Sequence, residues 1–221
     1  MDVDDLLAEQ IAYYQARAPE YDDWWERRHD FDFGPEFGQA WADDVARLHA
    51  WLGDAGALGD TLEVAAGTGN WTRELARHAA RITAVDSSAE ALALNAAKAG
   101  TAHPPVEHVV ADIFDWVPPR RFDTVTFAFW VSHVPTARWD GFWRLVDRAL
   151  APGGTVLFCD NARPDHFAAH GPPRPAGDRP VAEGCGEAGE RMTRVLRDGS
   201  THQIVKRSWS PEEIAQDLMQ R

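Results

Sequence analysis

Three carboxylates in this chain stand at or near the ends of apolar runs. Glu63 lies inside Thr61-Leu-Glu-Val-Ala-Ala66, Asp86 closes Arg81-Ile-Thr-Ala-Val85, and Asp112 follows Pro105-Val-Glu-His-Val-Val-Ala111. A turn containing Gly67 and Gly69 follows the first acid, and both glycines permit positive φ and close backbone approach to a ligand. Asp86 comes 23 residues after Glu63. An acid at the end of a second parallel strand accepts hydrogen bonds from ribose hydroxyls, so the pattern suits a nucleoside-containing cofactor. His133, in Val131-Ser-His-Val-Pro135, is the one imidazole on a loop expected to face substrate. Its ordinary pKa of roughly 6.5 suits a general base, while a histidine that bonds a backbone carbonyl and only shapes the loop is the other reading.

Parallel strands have to position these groups. Leu62, Val64 and Ala65 read as a buried strand, and Trp71 to His78 reads as the helix after the turn. Arg81–Val85, Pro105–Ala111, Phe122–Trp130 and Thr155–Asp160 supply four more strands. Ser87-Ser-Ala-Glu90 reads as a capping box opening the helix to Gly100. Trp139, Trp143, Val146 and Leu150 form the apolar face of a later helix that ends at Pro152-Gly153-Gly154. Ahead of the sheet, Leu7, Ile11 and Tyr14 mark one helix stopped by Pro19, and Phe37, Trp41, Val45, Leu48 and Leu52 mark a second. Beyond it, 161–190 is loop-like and rich in Pro and Gly, Met192–Leu196 and Thr201–Lys206 flank a hairpin turn, and Ser210-Pro-Glu-Glu213 opens a last helix.

The loop discriminates between cofactors. A dinucleotide fingerprint needs a third small residue, and counting from Gly67 that position is Thr72 beside bulky Trp71. Counted from Glu63, the pattern Glu63-x-Ala65-x-Gly67-x-Gly69 resembles motif I of the class I S-adenosylmethionine-dependent methyltransferases, with Ala65 where many members have glycine. The Leu150-Ala-Pro-Gly-Gly154 turn is also typical of them, so the resemblance covers about residues 58–160. It implies an α/β fold with a doubly wound, mostly parallel Rossmann-like sheet, an N-terminal helical cap (1–57), and a core (58–221) carrying a C-terminal hairpin and helix, all in one structural domain. It implies S-adenosyl-L-methionine as cofactor, with Glu63, Ala65, Gly67, Gly69, Asp86, Ser87, Asp112, Ile113 and Phe129 around it. Tyr14 and Tyr21, with Tyr13, become candidates for a lid; packing of helices on the sheet is the plainer role for such rings. Family members usually end with a sixth strand and an antiparallel seventh. None is legible before Arg221, so either the 192–206 hairpin takes their place or the sequence stops short of the natural C-terminus.

Composition narrows the partners. A formal net charge of −13 argues against a phosphate-tracking surface, so a small-molecule methyl acceptor is expected and nucleic acid is not. Cys159 and Cys185 lack metal-ligand spacing, and no metal is expected. An acidic N-terminus and the lack of any apolar run near about 18 residues suggest a cytoplasmic protein with no membrane partner. The expected reaction is methyl transfer to O or N. An aminopropyltransferase, an NAD(P)-dependent oxidoreductase and a non-catalytic cofactor-fold module are the alternatives. A carboxylate acceptor would call for a nearby cation, for which Arg138 and Arg163 are the candidates by placement.

Overall fold

Five parallel strands carry the molecule in the order β3-β2-β1-β4-β5. The computed structural model describes residues 1–100, 104–161 and 190–221. The strands are β1 (Gly59–Val64), β2 (Ala79–Asp86), β3 (Val106–Val110), β4 (Phe122–Ala128) and β5 (Leu150–Cys159). Order reverses between β1 and β4, which opens a crevice at their carboxyl ends where ligands bind in such sheets. Register sets Glu63 opposite both Ala84 and Thr126, and Asp86 opposite Val110.

Helices cover the sheet because the crossovers must return the chain to its starting edge. Ahead of it run α1 (Val3–Arg17), a 3-10 turn (Ala18–Glu20), the short α2 (Tyr21–Trp25) and α3 (Pro35–Asp54). Crossovers are made by α4 (Asn70–Leu75), α5 (Ala89–Ala99) and α6 (Thr136–Ala149). The buried stripe of α6 comprises Trp139, Phe142, Trp143, Leu145, Val146 and Ala149, and Phe142 meets Phe127 of β4 edge-on at 5.2 Å. Each of the larger of these side chains contributes about 1.5–3 kcal/mol when sealed from water. On α1 the stripe is Leu6, Leu7, Gln10 and Tyr13, shifted from the Leu7, Ile11, Tyr14 line read in the sequence.

Several boundaries differ from the sequence reading, and two of them have a clear local cause. The strand expected from Thr155 begins at Leu150, which pairs with Phe122 before the register shifts, so the glycine-rich turn is an irregular strand start. A Cβ on Gly154 would stand 2.8 Å from the Asp123 carbonyl oxygen, a backbone approach only glycine allows. The N-cap of α5 is Ser88, whose side chain accepts from Ala91 N–H, so the capping role read for Ser87 belongs to its neighbour.

The hairpin β6 (Arg191–Val195) and β7 (Thr201–Val205) forms its own two-stranded sheet, separate from the five. It packs on α1, where Tyr13 meets Met192, Leu196 and Ile204, and Leu6 and Leu7 meet Val205. The last helix, α7 (Pro211–Met219), starts with both bonds of a capping box between Ser210 and Glu213. The Pro- and Gly-rich stretch and Arg163 and Cys185 within it lie outside the described residues, apart from Asn161 and Glu190 at its ends.

Candidate active site

At the end of β1 the chain turns through three left-handed residues, Ala65 (φ 53°), Gly67 (φ 55°) and Gly69 (φ 90°). For alanine that conformation costs about 1–2 kcal/mol, which is why glycine is at home there. Gly69 is obligatory for a second reason, since a Cβ would lie 2.9 Å from Asn95 Cγ. Gly67 is different: the nearest atom to an added Cβ is 4.0 Å away, so its face is open to a ligand.

Asp86 closes the far side of the turn. Its Oδ2 accepts from Gly67 N–H and its Oδ1 from Ser88 N–H, each at 2.8 Å. Surrounding protein pushes its carboxyl pKa up, against the pull of the Ser88, Gly67 and Ser87 amides, although part of the side chain still reaches the crevice. Glu63, by contrast, is sealed beneath the turn at 3% exposure. Its Oε2 accepts from the Thr72 hydroxyl at 2.6 Å, and Asn95 Nδ2 donates onward to Thr72 Oγ1 at 2.7 Å. Burial raises the Glu63 pKa to about 8, with Thr72 opposing and Asp86 adding to the shift. This acid fastens α4 to β1 from below, where the sequence reading sets it beside the ligand.

Asp112 caps its own turn by accepting from Phe114 N–H at 3.0 Å, and Ile113 belongs to the main core. Phe129, at the end of β4, is also left-handed at φ 57° and donates its N–H to the Cys159 carbonyl. Its ring meets the edges of Trp24 and Trp25 from α2. Trp139 and Trp143 are core residues, as the apolar helix face read from the sequence requires.

His133 is buried at 6% exposure with both ring nitrogens engaged. Nδ1 is 2.8 Å from the Val205 carbonyl oxygen, so it must carry the proton, and Nε2 accepts from the Tyr14 hydroxyl at 3.0 Å. Burial first, then the charges of Lys206, Arg194 and Arg17, hold its pKa well below the usual value; the Val205 bond opposes them. The free imidazole expected of a general base is therefore a neutral, fixed acceptor. Gln10 completes the frame by donating to the His133 carbonyl and accepting from Val205 N–H.

The segment 18–31 lies over the crevice and is tied on two sides. Asp22 accepts from the Thr68 hydroxyl at 2.7 Å and from Asn70 Nδ2 at 3.1 Å, and pairs with Lys98 at 2.7 Å. Asp23 pairs with Arg197 in the turn of the hairpin at 2.7 Å. Tyr21 stacks under the Arg17 guanidinium at 5.2 Å and feels the charges of Asp86 and Asp160; burial leads the causes that push its hydroxyl up to about 12. Asp22, Lys98, Arg17, Arg194, Lys206 and Gln10 all escape a sequence reading. Only the acidic, aromatic character of Asp22-Asp-Trp-Trp25 hinted at any of them. Arg138, the candidate cation, is instead on the surface paired with Asp4.

Comparisons with known proteins bear on the fold and the family. A family model described as a methyltransferase domain matches residues 61–154. A search of curated proteins finds no match. Among solved structures, the chain is similar to DhpI in a complex with SAM and HEP, at 36% identity and TM-score 0.73, over 97% of this chain and 88% of that one. It is similar to the DhpI complex with SAH at 35% identity and TM-score 0.71, over 97% and 86%. A methyltransferase from Clostridium acetobutylicum shares the fold at 18% identity and TM-score 0.55, over 82% and 78%.

Proposed function

This chain belongs to the class I S-adenosylmethionine-dependent methyltransferases, and on that premise we propose that it methylates an O or N atom of a small molecule. The observation that carries the reading is the open Gly67 face beside the Asp86 carboxylate at the sheet's switch point. S-adenosylmethionine, when bound, supplies an electrophilic methyl group that is already activated. The protein's part is to hold, orient and keep water out.

The residues fit that cofactor. Asp86 has both oxygens anchored by backbone amides, so its remaining lone pairs suit ribose hydroxyls. The backbone of the 65–69 turn, Asp112 with Ile113, and the carbonyls around Ala128 and Phe129 are the other expected contacts. Glu63 acts through Thr72 and Asn95, as a positioning residue beneath the turn. Segment 18–31 serves as the lid, with Tyr21 on its inner side.

His133 orients Tyr14. Because Nδ1–H is spent on Val205, the Tyr14 hydroxyl must donate to Nε2, leaving its oxygen lone pairs for an acceptor or a water. An aminopropyl transfer or a nicotinamide reaction has no observation in its favour.

Calorimetry with S-adenosylmethionine and, separately, NADH tests the reading on wild type and Asp86→Ala. Selective binding of the first, weakened at least ~10-fold by losing charge-assisted hydrogen bonds, is expected. Equal binding by the variant removes Asp86 from the site, and a preference for NADH overturns the proposal.

A further inference from the structure

Three basic side chains converge around the Tyr14–His133 pair. Arg17 comes from the end of α1, Arg194 from β6, and Lys206 from the residue after β7. The ladder continues one pair past β7, from Lys206 N–H to the Glu190 carbonyl, so alternation puts Arg194 and Lys206 on one face of the hairpin. The charges of all three act on His133, and those of Arg17 and Arg194 act on Lys206. Lys206 Nζ donates to Ser132 Oγ at 2.7 Å and stands 4.0 Å from Asp160, with its side chain only 14% exposed.

Their partners are too few. Among the described residues, Arg17 has no carboxylate; it donates to the Tyr13 hydroxyl and lies over Tyr13, Tyr21 and Phe31. Within the same described residues, Arg194 Nε is buried with no hydrogen-bond acceptor. Among the described residues, Asp160 is the one carboxylate whose charge acts on Lys206, and it already accepts from the Ser132 N–H and hydroxyl. Several arginines elsewhere are paired with acids, Arg120 with Asp60, Arg197 with Asp23 and Asp30, Arg221 with Asp140 and Asp217, while Arg27, whose Nε is likewise without an acceptor, lies over the Trp41 ring. With 35 acidic residues against 22 Lys and Arg, surplus positive charge in one buried place is not a consequence of composition. Sheltered cations without counter-charges cost stability, so a protein retains such a group where a ligand completes it.

Resting on the methyltransferase reading, we infer that Arg17, Arg194 and Lys206 form the binding site for the oxyanion group of the methyl acceptor. Two guanidiniums and an ammonium match a carboxylate or phosphate-type group, since guanidinium forks pair with planar or tetrahedral oxygens by parallel N–H donors. The unpartnered Arg194 Nε–H supplies one such donor. The Tyr14 hydroxyl, held by His133, stands at the edge of the same group. A cationic acceptor is excluded by the same charges.

The test uses the full chain saturated with S-adenosylhomocysteine. Its binding, measured first by calorimetry, reports the methyltransferase reading by itself. Thermal unfolding is then followed against inorganic phosphate, acetate and choline, each at ionic strength matched with sodium chloride. Saturable stabilisation by phosphate or acetate, and none by choline, is expected, and the stronger of the two anions identifies the group. Arg194→Gln and Lys206→Met should each weaken that response ~10-fold or more while S-adenosylhomocysteine still binds. Exposed Arg47→Gln, whose partner is Asp44, should behave as wild type. An anion response no larger than that of chloride in wild type, or one kept intact in both site variants, overturns the inference. If S-adenosylhomocysteine fails to bind, the cofactor reading fails, and the same titrations on the free protein still decide the anion site. Should Arg194→Gln not fold, Lys206→Met and Arg194→Lys decide it.

Discussion

Burial keeps the Glu63 carboxyl protonated near neutral pH, since its pKa rises from 4.5 in the open chain to about 8 in the fold. Between those values the folded state binds the extra proton, so its contribution to stability is complete below 4.5 and is lost as pH rises through about 8. The slope from one such group reaches at most ~1.4 kcal/mol per pH unit. Glu63→Gln, which imitates the protonated acid, should flatten the fall in melting temperature between pH 5 and 8; an unchanged profile in the ligand-free protein would show that Glu63 is ionised. His133 works in the opposite sense. Its folded pKa is depressed, so the unfolded chain binds more protons below the ordinary value and stability declines toward acid pH. Nitrogen-15 NMR should show the Nδ1–H tautomer unchanged from pH 8 to 5, and titration of the ring in that window would return it to the role of a free base. The sequence pointed to His133 by its position after β4. It could not disclose that Tyr14, 119 residues away, and Val205 occupy both nitrogens.

At the scale of elements, the strands and their connecting helices follow from apolar runs, turns and caps that are local in the chain. The proposed lid does not, because the segment is held by an ion pair spanning 76 residues from Asp22 to Lys98. Burial works to raise the Asp22 pKa, but bonds from Lys98, Thr68 and Asn70 outweigh it and leave it lowered. Asp22→Ala should therefore release α2 from the glycine turn without unfolding the sheet. The loss of a part-exposed charged pair, about 1 kcal/mol, corresponds to roughly 5-fold faster dissociation of S-adenosylhomocysteine. Stopped-flow displacement measures that rate, and a rate equal to wild type would leave the lid without its proposed anchor. The start of β5 shows a different limit of local reading. Pro152, Gly153 and Gly154 resemble a turn, yet pairing of Leu150 with Phe122 draws them into the sheet.

Across the whole molecule, N- and C-terminal parts meet over the sheet. Gln10 of α1 bonds Val205 of β7 across 195 residues, and Arg207 donates to the Val134 carbonyl while stacking over Trp139 and Trp209. Trp209 lies parallel to Trp139 at 4.8 Å, and Trp139 Nε1 donates to Asp217 of α7. Trp209→Ala should cost about 2 kcal/mol, less than a fully buried ring, and lower the melting temperature by roughly 4–8 °C in calorimetric scans. A smaller loss than ~0.5 kcal/mol would mean that α7 is held by Trp139 and Asp217 without the stack. The sequence by itself determined the five-stranded parallel sheet, the glycine turn and the Asp86 position, because each depends on period, φ requirements and spacing within one strand-turn-helix unit. Through the family resemblance those motifs carry, it also pointed to S-adenosylmethionine. Tertiary structure alone decided that Glu63 is sealed, that His133 is neutral, and that the charges of Arg17, Arg194 and Lys206 all act on His133. Those outcomes depend on desolvation and on fields from side chains far apart in the chain, and neither is written in local pattern.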